Sequence, residues 1–331
     1  MGQIVRNPKR WILSALKVCF GALLVFALFK GDYIDAGALV LAFTKPAYFA
    51  PALVLMFIGI LAGAFRWWLL LRIAGFPVQL PTILRIQLMS GFFSLYMPGA
   101  AGGDVVRAMY IFRGMKKGQG RGAATLSIVS DRAFSLFGLL GAACLLSVYL
   151  VFSSDKGAKA ASYIEGIEWI FVASCVAGVA MLIAFALARF FNLGRFLPDR
   201  LLEYARIFRQ NASVYKAKWL QLLFCAVISV AASALVALSI VLIAMIFPFA
   251  PDPLVAAVAG VFGNLFSAIP ISPGGLGVGE VAFAKVVEEL SGTVGPFATI
   301  YLTFRLGMFL VNIPGGLLAL LTPHRDLLPV E

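Results

Sequence analysis

The chain is 331 residues long, 62% hydrophobic and only 13% charged, with a formal net charge of +12. Such a balance excludes an ordinary soluble globular domain, and the longest polar stretch, residues 189–218, has room only for a loop or a surface helix. The whole of 1–331 therefore reads as a single integral membrane domain. In chain order, a basic start with Arg6, Lys9 and Arg10 precedes an apolar run at 12–29. The run has the pattern of a signal peptide, but cleavage near Ala36-Gly37-Ala38 would delete the first span, so it is read as a retained anchor. Further full spans are predicted at 47–65, 123–152, 167–188, 219–247 and 296–321, near the roughly 20 apolar residues that cross a bilayer as helix. Two pairs of shorter segments interrupt this series. Residues 82–97 with 104–113, and 254–269 with 278–290, are too short or too broken for comfortable spans; the second pair is entered through Pro251-Asp252-Pro253.

The breaks within these pairs are near copies. One runs from Phe93-Ser94 through Pro98-Gly99-Ala100-Ala101-Gly102-Gly103-Asp104-Val105, the other from Phe266-Ser267 through Pro273-Gly274-Gly275-Leu276-Gly277-Val278-Gly279-Glu280-Val281. Phe93 to Phe266 and Arg132 to Arg305 are both 173 positions apart, Pro98 to Pro273 is 175, and Asp104 to Glu280 is 176. Paired Gly/Pro-interrupted segments in two halves of a membrane chain point to inverted repeats and to the binding site between them. The predicted fold is an all-α polytopic membrane protein of two inverted-topology repeats, about 12–152 and 167–321, each with a Gly/Pro-broken re-entrant helical hairpin. An even ten-span arrangement, with every half-helix crossing fully, keeps the same ends.

Alternating the spans from a cytoplasmic N-terminus places 20 of the 27 basic residues inside, among them Arg66, Arg72, Arg85, Arg107, Arg113 and the run from Arg189 to Lys218. That asymmetry follows the positive-inside rule, so the charge is topogenic and no nucleic-acid partner is expected. Both termini are expected in the cytoplasm, and the location is the bacterial cytoplasmic (inner) membrane. Arg66-Trp67-Trp68, at the end of the second span, reads as an interfacial anchor, and 196–215 as a basic amphipathic helix on the inner leaflet.

Candidate binding residues come from the breaks and from two arginines inside apolar spans. Non-helical backbone at membrane depth must be buried in protein or line a wet cavity. Gly99, Gly103, Gly274, Gly275 and Gly277 allow positive φ and close approach of a ligand to the backbone. The following helix N-terminus suits an anion, while Asp104 and Glu280 in its first turn also suit capping; both roles stay open. Arg132 and Arg305 are expensive in hydrocarbon and need partners. Each is paired with the acid of its own half, Arg132 with Asp104 and Arg305 with Glu280, with Asp131 as another partner for Arg132. The same guanidinium forks suit a phosphate.

Catalytic chemistry has little to draw on. The one histidine, His324, is in the C-terminal tail, and Cys19, Cys144, Cys175 and Cys225 fall in apolar spans without ligand or redox spacing. No cofactor, metal or enzymatic activity is expected.

Met97-Pro98-Gly99 with Gly103-Asp104 and Arg107, the membrane pair Asp131-Arg132, and above all Pro273-Gly274-Gly275-Leu276-Gly277-Val278-Gly279-Glu280 resemble the flippase-like lysylphosphatidylglycerol synthase transmembrane family over nearly the whole chain. The family's motif often has arginine before the final glutamate, where this chain has Gly279. In the best-known member this membrane part translocates an aminoacylated phospholipid made by an attached synthase domain. No such domain accompanies it in these 331 residues, so the resemblance implies movement of lipid without aminoacyl transfer. The expected function is a translocator moving a lipid with an anionic phosphate headgroup (a phospholipid, polyprenyl-phosphate or related lipid) between leaflets by alternating access. An ion or small-solute secondary transporter, or a membrane enzyme acting on a lipid phosphate or glycolipid, are the alternatives.

Overall fold

A computed structural model describes residues 40–76, 78–96, 102–113, 121–153, 218–269 and 275–321, with isolated positions 26, 30, 35, 37 and 272. The predicted spans at 12–29 and 167–188, the segment 196–215, and two candidate site residues, Gly99 and Gly274, lie outside that set or almost wholly so. Among the described residues all regular structure is helical. After a single turn at Leu41–Thr44 come α1 (Pro46–Ile73), α2 (Leu80–Tyr96), α3 (Gly102–Arg113) and α4 (Arg121–Ser153), then α5 (Trp219–Ala244), α6 (Pro253–Ser267), α7 (Val278–Ser291) and α8 (Ala298–Leu321).

Four of these, α1, α4, α5 and α8, are long and apolar enough to cross a membrane. They are hydrophobic around most of their circumference, as helices solvated by lipid must be. Their outward faces expose Val54, Phe57 and Ile58 on α1, Leu145 and Val148 on α4, and Leu220, Leu223 and Phe224 on α5. In water such a belt would aggregate; facing acyl chains it costs nothing. The protein is a multi-pass membrane protein. The four predicted spans that fall on described residues, 47–65, 123–152, 219–247 and 296–321, match these helices, though α1 runs eight residues further, to Ile73.

The shorter helices occur in two pairs. Helices α2 and α3 have 17 and 12 residues, and α6 and α7 have 15 and 14. At about 1.5 Å per residue none reaches much beyond about 25 Å, short of the roughly 30 Å hydrocarbon core. Local chemistry sets their ends. Asp252 caps α6, its carboxylate accepting from the Leu254 N–H at 2.8 Å, with Pro253 in the first turn, where a missing N–H costs nothing. Gly292, at φ 66°, closes α7 by donating to the Glu288 carbonyl.

The packing has an internal regularity. Each helix–helix contact of the first four helices recurs when α1, α2, α3 and α4 are replaced by α5, α6, α7 and α8. Helix α2 packs on α3 and α6 on α7, α1 on α2 and α5 on α6, α3 on α4 and α7 on α8. Across the halves, α8 lies on α2 as α4 lies on α6, and α5 lies on α4 as α1 lies on α8. The central pair, α1 and α5, is antiparallel. Lys45 before α1 donates to the Ile246 carbonyl after α5, Gly59 lies beside Val236, and Arg66 near the α1 C-terminus bonds Ser229 near the α5 N-terminus.

Close approach is secured by small residues, the usual device where no hydrophobic effect drives helices together. A Cβ on Gly315 would run into the Leu88 carbonyl, joining α8 to α2, and one on Gly138 into the Ser229 carbonyl, joining α4 to α5. The largest apolar core gathers Met56, Ile240, Val258, Phe262, Phe283, Tyr301 and Phe304; a second holds Trp67, Ile83, Ile86, Met89, Tyr110 and Ile128. The polar residues described next line the borders of these two cores.

Candidate functional site

Each pair of short helices is clamped in the same way. In the first, Gly103 at the start of α3 sits against Ser94 and the Ser90 carbonyl of α2. In the second, Gly279 at the start of α7 sits against Ser267 of α6 and the Tyr301 ring of α8. A side chain at either glycine would separate the arms. Gly275 and Gly277 lie in the connection between α6 and α7 with φ of 72° and 81°, geometry that glycine adopts without strain. The Gly275 α-carbon also faces the Ser267 backbone, so a Cβ there would collide with chain rather than fill a cavity. Gly103 and Gly275 thus have packing roles in this structure.

The acid opening each second arm meets the arginine of its own half. Glu280, fully buried, lies 2.7 Å from the Arg305 Nε. The Arg305 Nη2 donates to the Gly275 carbonyl at 3.0 Å and the Ser267 hydroxyl at 3.2 Å, tying α8 to both sides of the turn. Tyr301 packs its ring 5.6 Å from the guanidinium and bonds Ser267 through its hydroxyl. In the first half, Arg132 forks onto Asp104, with Nε 2.9 Å from Oδ2 and Nη2 2.9 Å from Oδ1. The two pairs differ in burial. The side chains of Arg305 and Glu280 are 8% and 0% exposed, those of Arg132 and Asp104 50% and 26%.

Asp131 does not partner Arg132. Neighbours on a helix point about 100° apart, and Asp131 turns inward between two buried guanidiniums. The Arg66 Nε donates to its Oδ1 at 2.8 Å and the Arg107 Nη1 to its Oδ2 at 2.8 Å. Arg66 also donates to Ser229 and Ser135 on α5 and α4. Arg107 donates to Ser90 and Gln87 on α2, and its guanidinium lies 4.7 Å over the Trp67 ring. Arg66 and Trp67 are therefore not interfacial anchors; they and Arg107 are buried within the protein. Asp131 offered the available signal, since a carboxylate deep in an apolar span must have a partner elsewhere in the fold.

The predicted residues thus form two clusters, one per half. Arg132 and Asp104 join Arg66, Arg107 and Asp131 near the C-terminal end of α1. Arg305 and Glu280 join Gly275, Ser267 and Tyr301 near the N-terminal end of α8, where Gly307 lies beside Leu53 and Met56 of α1. Measured along α1, the two levels are roughly 17 Å apart. The first cluster holds three guanidiniums and two carboxylates, the second one of each. Such sites can engage an anion through charge-assisted hydrogen bonds.

The model of the family described as the lysylphosphatidylglycerol synthase TM region matches residues 14–316. No curated protein matches the chain.

Proposed function

The chain belongs to the lysylphosphatidylglycerol synthase TM family, and on that premise we propose that it moves a phosphate-bearing lipid between the leaflets of the bacterial inner membrane by alternating access. The observation that carries the reading is the paired packing of α1–α4 and α5–α8, with the equivalent helices α1 and α5 antiparallel. A two-fold axis that exchanges antiparallel spans lies in the membrane plane, which is the relation of inverted-topology repeats. The short arms of α2–α3 and α6–α7 are then re-entrant hairpins dipping from opposite faces, since neither is long enough for a relaxed crossing.

The site supplies what a headgroup needs on that path. A phosphate leaving water loses hydration that guanidinium forks replace, while its tails stay in the bilayer through a lateral opening. Arg132, half exposed within an apolar span, is placed for capture, and Arg305, closed over by Ser267, Tyr301 and the Gly275 carbonyl, for the opposite face. Unequal burial of equivalent pairs is the expected asymmetry of a machine whose halves exchange conformations.

The test is transport per folded molecule in proteoliposomes carrying labelled lipids in one leaflet, with the products analysed chemically. Wild type should redistribute phosphate-bearing lipid and leave it chemically unchanged. Arg132→Lys and Arg305→Lys, which keep charge but lose the fork, should each lower the rate at least tenfold, about 1.4 kcal/mol in the relevant step. Unchanged lipid asymmetry across headgroups would end the proposal. A modified lipid would make the protein an enzyme, and uptake of solute alone would make it a small-solute carrier.

A further inference from the structure

The first cluster contains more positive charge than its own carboxylates balance. Arg66, Arg107 and Arg132 face only Asp131 and Asp104 among the described residues, leaving one positive charge in excess at a level inside apolar spans. A lone charge there calls for a counter-ion or an aqueous opening. Among the described residues the second cluster pairs one arginine with one carboxylate. Counted by the offsets of the repeat, the second-half equivalents of Asp131 and Arg107 are Phe304 and Phe283. Those two rings pack at a tilt against Tyr301, with centroids 5.7 and 5.4 Å from it. Among the described residues the excess cation therefore belongs to the first half.

Hydrogen-bond donors point the same way. Arg132 spends Nε and Nη2 on Asp104, leaving Nη1 without a described partner. Arg107 donates singly from Nε, Nη1 and Nη2, which leaves a further N–H on each terminal nitrogen, and its Nη1 stands only 3.8 Å from Asp104 Oδ1. Both guanidiniums thus converge on the one partly exposed carboxylate of the cluster. Beside them Trp67, fully buried, has an indole N–H with no acceptor among the described residues. A ligand rich in acceptor oxygens and carrying a single negative charge fits these surroundings.

We infer that Arg107 and Arg132 together form an oxyanion site for a singly charged phosphate, a phosphodiester headgroup or dihydrogen phosphate, with Asp131 and Arg66 as positioning residues. The inference deepens the proposed transport function by naming the half, and the charge, of the headgroup station. Asp104 draws both arginines towards itself and shares or yields them when the phosphate enters. Asp131, fixed by Arg66, keeps the Arg107 guanidinium over the Trp67 ring and aimed at that point.

Binding to the purified full chain in detergent tests this, read as ligand-dependent thermal stabilisation. The probes are dioctanoyl phosphatidylglycerol (a phosphodiester monoanion), inorganic phosphate, and dioctanoylglycerol, which lacks the phosphate. Wild type should be stabilised saturably by the phospholipid and not by dioctanoylglycerol. Arg107→Lys, which keeps charge beside Asp131, should weaken binding at least tenfold. Asp104→Asn, which removes the competing carboxylate, should tighten it several-fold, a gain that a purely structural role would not produce. Inorganic phosphate binding as tightly as the lipid supports the site and assigns it to free phosphate. Wild-type affinity in both variants would overturn the inference. Lipid transport by the wild type with normal affinity in Arg107→Lys would sink this site alone, whereas Arg107-dependent binding without transport would sink the translocator reading alone.

Discussion

Glu280 and Asp104 hold matching places at the start of α7 and α3, but the cost of losing each differs. Neutralising Glu280 takes away the buried carboxylate against the Arg305 guanidinium, whose hydrogen bonds to the Gly275 carbonyl and the Ser267 hydroxyl carry no compensating charge. Breaking one side of a buried pair costs about 3–5 kcal/mol, because the remaining charge is uncompensated. Glu280→Gln should therefore lower the unfolding temperature steeply in a detergent melt, and Glu280→Gln with Arg305→Met should regain most of the loss. Asp104→Asn should cost less than Glu280→Gln, since Arg132 keeps half its side chain exposed and is not sealed within protein as Arg305 is. Equal destabilisation by the two single substitutions would show that the burial difference between the halves has no energetic weight. That both arginines would meet the acid of their own half followed from the matched offsets of 173 and 176 residues. The role of Asp131 did not follow. Its adjacency to Arg132 suggested a pair that helical geometry forbids, and its true partners come from α1 and α3, 65 and 24 positions away.

At the level of helices, glycine decides how closely the elements approach, and the reason differs from site to site. Gly315 of α8 lies against the Leu88 carbonyl of α2, Gly279 against Ser267 and Tyr301, and Gly141 of α4 only against a Val230 methyl at 3.1 Å. Backbone cannot give way as a side chain can. Gly315→Ala should thus force α8 off α2 and cost about 1–3 kcal/mol, the range for overpacking a tight interface, while Gly141→Ala should be nearly silent in the same melt. Comparable shifts for both would mean that α2 and α8 can part without penalty. Helix ends have local causes: Pro253 follows the Asp252 cap of α6, and Gly292 closes α7. The extension of α1 to Ile73 was not readable. Arg66-Trp67-Trp68 has the composition of a membrane border, yet partners on α3, α4 and α5 bury Arg66 and Trp67 and carry the helix onward. Tertiary neutralisation of a charge leaves no trace in a hydropathy window.

For the whole molecule, the paired contacts of α1–α4 and α5–α8 make a prediction about sidedness and motion together. Because α1 and α5 are antiparallel and each is followed by a short-helix pair, the link before α2 and the link after α7 should face opposite sides of the membrane. Single cysteines at Gln79 and Val294, both exposed, should therefore react with a membrane-impermeant thiol reagent from opposite sides in a background lacking the native cysteines. Labelling of both from one side would break the inverted arrangement. Motion requires a third position. Ser272, 2% exposed, lies in the connection of the second hairpin and donates to the Leu276 carbonyl at 2.7 Å, so it is shut in while the first-half pair stands open. If the halves exchange states during transport, Ser272→Cys, a nearly isosteric change, should stay unreactive at rest and gain at least several-fold in labelling rate when a transported lipid is supplied. Gln79→Cys and Val294→Cys should not change, because surface links are exposed in both states. A Ser272→Cys rate indifferent to lipid would show that the second hairpin stays closed, and transport would then have to proceed along the first half alone.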